Sequence, residues 1–293
     1  MIKKIKQIEE ISFERTLEKI HIPKDPPKMV LIVGPCRVGT TALSNVFAHA
    51  GYTAYMQPIK SIRRGIEEGV EVPDFHIASM EEVVVCKETF GAKTQSEYYN
   101  PIEILIKAGY PKNKIHLIGI VRDPATTLTS WTWMWDEVLM EGFVRAYRNT
   151  EEVLEYAKNL DIGTTSYVHE AIRDNNSELV IAKLFNRISE ERMGTNATDW
   201  SEGPNFNDDK NVKFFDEPPE RFVHAVKTWG GYEYRHLIPD ITEFQKISLR
   251  NGGVYKTYDN FLRDCELELD IKIRRGGNLD NGNIYRETKD TGI

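Results

Sequence analysis

Gly34-Pro35-Cys36-Arg37-Val38-Gly39-Thr40-Thr41 is a glycine-bounded loop that follows an apolar run and opens a helical pattern. The run before it, Met29-Val30-Leu31-Ile32-Val33, lies between Pro27 and Gly34 and predicts a strand buried on both faces. Behind the loop, Leu43, Val46, Phe47 and Ala50 recur at helical spacing until Gly51, so the unit reads strand, loop, helix. A loop so placed aims backbone N–H groups and the positive end of a helix dipole at whatever sits above it, which favours an anion. A cradle for a magnesium-bound triphosphate needs a lysine directly after the second glycine and a Ser or Thr after that. Here Thr40 occupies the lysine position and Arg37 is the cation of the loop. Phosphate binding is therefore expected and a magnesium-triphosphate enzyme is disfavoured. Taken alone, the loop also reads as an ordinary glycine turn before a helix.

A second constellation strengthens the first. Ile115-His116-Leu117-Ile118-Gly119-Ile120-Val121 reads as another buried strand and delivers Arg122 at its carboxyl end. Asp123 suits an N-cap and Pro124 a first helical residue, so a helix should begin at once. Ligands of open α/β sheets bind at the carboxyl ends of the strands, which puts Arg122 on the same rim as the loop. On the helix that follows, Asp123, Thr127, Ser130 and Met134 share a face, so a guanidinium and a hydroxyl could hold one phosphate between them.

Arg37-Val38-Gly39-Thr40-Thr41, then Arg122-Asp123-Pro124 with Ser130-Trp131, resembles in order and spacing the sulfotransferases that use 3′-phosphoadenosine 5′-phosphosulfate (PAPS). The likeness covers roughly residues 28–135. It implies that Arg37, Val38, Gly39, Thr40 and Thr41 hold the 5′-phosphosulfate, while Arg122 and Ser130 hold the 3′-phosphate. Near the carboxyl end, Arg274-Arg275-Gly276-Gly277 resembles the element that closes over the 3′-phosphate in cytosolic members. The family also implies a catalytic base at the end of the strand Val83-Val84-Val85-Cys86, where Lys87-Glu88-Thr89 stands. Glu88 is the preferred base, with Lys87 beside it and Arg37 stabilising the leaving group. His76, in an irregular segment before that strand, is the second candidate. A solvated Lys-Glu pair is the plain alternative for the first two. No metal is expected, because the histidines are scattered and no ligand spacing is found.

Other features are read more plainly. His116, inside an apolar strand, suits a core histidine, and Glu170, after the strand Thr165–His169, a structural carboxylate. Trp131 and Trp135 fall on one helical stripe and suit the core or the wall of an acceptor pocket, while Trp133 faces elsewhere.

Strands are expected at Met29–Val33, Thr53–Gln57, Val83–Cys86, Ile115–Val121 and Thr165–His169, with Pro101–Ala108 and Asp136–Arg148 as crossover helices. The expected fold is α/β, a three-layer P-loop-like arrangement with a central, mostly parallel sheet of about five strands flanked by helices, plus a helical C-terminal region. One domain should span residues 1–293, with a core at 28–192, a loop or lid at 194–219 and a helical part at 220–293. Helices are expected there at Glu220–Trp229, Ile241–Leu249 and Lys256–Cys265, as a cap over the acceptor or as completion of the fold. Residues 1–20 suggest a charged amphipathic helix, too polar for a signal peptide or a membrane span. With 293 residues, a net charge of −7 and three scattered cysteines, a cytoplasmic enzyme with reduced thiols is expected, with neither nucleic acid nor membrane as partner. The functional expectation is sulfuryl transfer from PAPS to a hydroxyl or amine of a small-molecule acceptor. The alternatives are a P-loop kinase of a small molecule or nucleotide, and a sulfotransferase-like binding protein without turnover.

Overall fold

A computed structural model describes residues 12–91, 94–135, 137–189, 197–200, 212–214 and 230–275. After a helical segment at 12–18, the chain forms β1 (Ile20–His21), β2 (Lys28–Pro35), α1 (Thr40–His49), β3 (Thr53–Met56), α2 (Pro58–Glu68), β4 (Phe75–His76) and β5 (Val83–Phe90). It continues through α3 (Pro101–Lys107), β6 (Ile115–Val121), α4 (Pro124–Met134), α5 (Met140–Asn159), β7 (Gly163–Val168), a short α6 (Ala171–Asp174) and α7 (Ser177–Arg187). The last elements are β8 (Val212–Phe214), α8 (Glu243–Asn251) and α9 (Val254–Leu269).

The architecture is α/β. The central sheet runs β7-β6-β2-β5-β3-β8 with every neighbouring pair parallel. Met29 to Val33 of β2 are wholly buried, as a central strand covered on both faces must be. Parallel neighbours cannot be joined by tight turns, so helices carry the crossovers and flank the sheet. The path leaving β2 leads to the β5 and β3 side, and the path leaving β6 leads to β7 on the other. The order therefore reverses between β2 and β6, and the crevice beyond their carboxyl ends is where such sheets bind ligands. At Gly34 a Cβ would lie 2.2 Å from the Ile120 carbonyl oxygen, so glycine lets the two strands approach at that point.

The expected strands all form, with β2 and β5 running further toward the crevice than their apolar runs suggested. The C-terminal helices complete the fold: α9 packs on β6, β7, α5 and α7, with Phe261 filling the space above Gly119. Glu268 accepts the outward N–H of Ser166 at 2.7 Å, which occupies part of the open edge of β7. Three expectations need correction. The second crossover helix starts at Met140 and runs to Asn159. Within the stretch expected as a loop or lid, residues 212–214 add a sixth strand to the edge of β3. A two-stranded parallel ribbon, β1 with β4, lies outside the main sheet. The expected helix at 220–229, residues 1–11 and Gly276-Gly277 lie outside the described residues. Among the described residues, no helix is long and apolar enough to cross a membrane.

Candidate anion-binding site

The loop after β2 is shaped by two left-handed residues, Arg37 at φ 71° and Gly39 at φ 96°. Gly39 is the N-cap of α1 and supplies no side-chain cap, so the first-turn N–H groups face the crevice without one. Glycine is required there twice over. Its φ suits no branched side chain, and a Cβ would lie 2.7 Å from Nδ1 of His169. The Val38 side chain is buried in the core, which leaves only its backbone for a ligand; Thr40 is also buried, and Thr41 is half-buried.

Two guanidiniums stand beside this helix end. Arg37 Nε donates to Ser130 Oγ at 3.0 Å, joining the loop to α4. Arg122 follows β6, and Asp123 caps α4 by accepting the Thr126 N–H at 2.8 Å, with Pro124 as first helical residue. Arg122 is buried, donates to the Arg235 carbonyl at 2.9 Å and leaves its Nε without a partner. Its guanidinium lies 5.3 Å from the centre of the Tyr234 ring. Among the described residues, neither Arg37 nor Arg122 forms an ion pair with a carboxylate. Burial, with the charge of Arg122 adding to it, pushes the Arg37 guanidinium below its ordinary value. An arginine stays protonated regardless, so two positive charges share the site, with the Glu170 carboxyl close enough to feel that of Arg122.

The end of β7 supplies His169 and Glu170, of which the sequence reading gave a structural part to Glu170 and none to His169. The His169 N–H donates to the Val121 carbonyl at 2.9 Å, which sets its ring against Gly39. Burial holds this histidine neutral, with its pKa pushed down to about 3, and Nδ1 has no hydrogen-bond partner. Glu170 accepts from the Asp123 N–H at 3.1 Å and the Tyr234 hydroxyl at 3.3 Å, tying the ends of β6 and β7 together in the structural role expected of it. Arg173 pairs with Asp174 and lies 5.8 Å from the Tyr234 ring. Arg274 is held by the same aspartate, through its N–H at 2.7 Å, and the Arg274 and Arg275 side chains are exposed. The alternation Tyr232-Glu233-Tyr234 was the available signal, since it turns both tyrosines to one side. Both rings lie near His169, with centroids 6.1 and 5.4 Å away.

On the β5 side, the residues expected to be catalytic are engaged elsewhere. Glu88 is wholly buried and accepts from the Ile59 N–H at 2.8 Å, the Lys60 N–H at 3.1 Å and the Tyr99 hydroxyl at 2.5 Å. Its carboxylate thus satisfies the amino end of α2, and burial raises its pKa to about 7. Lys87 is buried within the sheet. Lys60, not singled out before, lies 3.4 Å from Glu97 and reaches Gly91 O, Thr89 Oγ1 and Cys36 Sγ beside the loop. Arg64 shares Glu97 at 3.5 Å.

His76 is not on this rim. Ile77 donates to the His21 carbonyl, Ala78 to the Tyr55 hydroxyl, and Lys28 to the Glu82 carbonyl, so residues 77–82 follow the amino-terminal end of the sheet. That is the end opposite the loop. Trp131 is a buttress: its Nε1 donates to the Cys36 carbonyl at 2.7 Å and its ring covers Gly91. Trp135 packs on it edge to face, and Trp133 is exposed. His116, expected in the core, is half-buried and bonded to Thr165 at 2.9 Å. No family model, curated protein or solved structure matches this chain.

Proposed function

We propose that this chain is a sulfotransferase that moves a sulfuryl group from PAPS to a hydroxyl or amine of a small-molecule acceptor. One observation carries the reading. Arg37 and Arg122, neither paired with a carboxylate among the described residues, flank the uncapped end of α1 at the point where the strand order reverses. In this reading the loop N–H groups and Arg37 hold the 5′-phosphosulfate, and Arg122 with Ser130 holds the 3′-phosphate. The Arg37–Ser130 hydrogen bond would make Ser130 the point where the two subsites meet. Arg274 and Arg275 would close over the nucleotide from outside. A sulfuryl group carries less negative charge than a terminal phosphoryl group, so directed N–H dipoles and one guanidinium suffice where a kinase uses lysine and magnesium.

A second reading, donor binding without turnover, is favoured by the enclosed carboxylate of Glu88 and the remote position of His76. Calorimetry tests the shared premise. The chain should bind 3′-phosphoadenosine 5′-phosphate without magnesium and bind magnesium-ATP weakly; the reverse order would overturn both readings in favour of a kinase. Mass spectrometry after incubation with PAPS and a metabolite extract then separates them, since only the enzyme yields a product heavier by one sulfuryl group.

A further inference from the structure

The ribbon at the amino-terminal end of the sheet gathers ligating side chains that the crevice does not use. In the β1–β4 pair, His21 lies opposite His76 and Ile20 opposite Phe75. Alternate residues of a strand share a face, so Asp74 and His76 of the β4 segment stand on the same side as His21. The other side is anchored. Ile20 and Phe75 are buried, and Phe75 packs edge to face on Tyr55, with ring centroids 5.0 Å apart. Three potential ligands are thus mounted on a rigid base and all open to solvent.

Their geometry is close to that of a binding site. The two imidazoles are stacked, with centroids 4.5 Å apart and planes 12° from parallel. His21 Nε2 is 2.8 Å from Asp74 Oδ2, and one ligand atom from each residue lies within 4.8 Å of the other two. Small turns of exposed side chains bring such atoms to the roughly 2.0–2.2 Å that zinc requires of nitrogen and oxygen ligands. Fifty-three positions separate His21 from Asp74, so no local spacing could reveal the cluster.

We infer that His21, Asp74 and His76 form a surface site for a divalent metal of the zinc type. Two imidazoles and one carboxylate suit zinc or cobalt and leave a coordination position to water. Lys19 is the competitor, since its ammonium sits 2.8 Å from Asp74 Oδ1 and must yield as the ion enters. An exposed ion pair of that kind is worth little, so displacing it costs little. The bound ion clips β1, at the end of the amino-terminal segment, to β4.

The test uses the full, tag-free chain, with cobalt(II) followed by its visible absorption and zinc by calorimetry. One ion per chain is expected, with His76→Ala, His21→Ala and Asp74→Asn each weakening the affinity at least tenfold and Lys19→Ala tightening it. Zinc should also raise the melting temperature of the wild type and not that of His76→Ala, whose fold is checked by circular dichroism. Wild-type binding unaltered by the histidine substitutions, or no stoichiometric binding, would overturn the site. An unchanged affinity in Asp74→Asn would remove Asp74 as a ligand and with it the three-residue arrangement. Binding of 3′-phosphoadenosine 5′-phosphate should be the same with and without zinc.

Discussion

On the β5 side of the loop, Lys60 and Arg64 share Glu97, and Glu88 takes three donors from α2 and Tyr99. On the β6 side, Arg37 and Arg122 stand near each other with no carboxylate partner among the described residues, beside an uncapped helix end and an unpartnered His169 nitrogen. Both flanks bury charge at the carboxyl ends of parallel strands. One flank is neutralised by the protein itself. On the other, no carboxylate pairs with the two arginines among the described residues, and this difference, more than the presence of basic residues, is what supports the proposed anion site.

The contrast predicts that charge removal has opposite effects on the two flanks. The largest expected effect is on stability, in Glu88→Ala, which strands two buried N–H groups and a tyrosine hydroxyl. It should cost about 3 kcal/mol, seen as a lower urea midpoint with an unchanged slope, while the affinity for 3′-phosphoadenosine 5′-phosphate holds near wild type. A stable Glu88→Ala that binds donor and has lost all turnover would restore Glu88 as a base and break the comparison. Next in size is Arg122→Ala. Its loss should fall on binding, about 2 kcal/mol or roughly thirtyfold by calorimetry, with little change in the urea midpoint. An unchanged affinity would remove Arg122 from the site.

The same contrast explains what the sequence could and could not show. β2, β5 and β6 are legible because a strand buried on both faces opens as a largely apolar run, and β7, Gly163–Val168 at the edge of the sheet, because threonine, tyrosine and valine favour a strand. β8 and the β1–β4 ribbon are only two or three residues long, and their pairing depends on partners far along the chain. Arg37, Arg122 and Ser130 are legible because loop, strand end and first helical turns are local, and the structure brings Arg37 onto Ser130. Glu88 is not legible in the same way. A Lys-Glu pair at a strand end can serve as a base or as an anchor for a neighbouring helix, and the deciding donors come from Ile59, Lys60 and Tyr99. His76 misled for a similar reason, since irregular sequence before a strand does not say at which end of the sheet it lies.

Per pH unit, the smallest expected effect is a pair of opposed pH slopes. Burial raises Glu88 from an ordinary 4.5 to about 7, so the stability it contributes is complete below about pH 4.5 and is lost as pH rises toward 7. Burial lowers His169 from 6.5 to about 3, with Arg122 contributing, so its contribution is complete above pH 6.5 and is lost as pH falls toward 3. Each slope is at most about 1.4 kcal/mol per pH unit. Relative to wild type, Glu88→Gln should gain stability as pH rises from 4.5 to 7, and His169→Gln as pH falls from 6.5, both read from urea midpoints across pH. Saturating 3′-phosphoadenosine 5′-phosphate then sharpens the comparison. A bound anion offsets the field of Arg122 at His169 and raises its pKa, so the His169 slope should shrink while the Glu88 slope stays as it was. If the ligand changed both slopes alike, or neither, the division between a self-neutralised flank and an anion-receiving flank would be wrong.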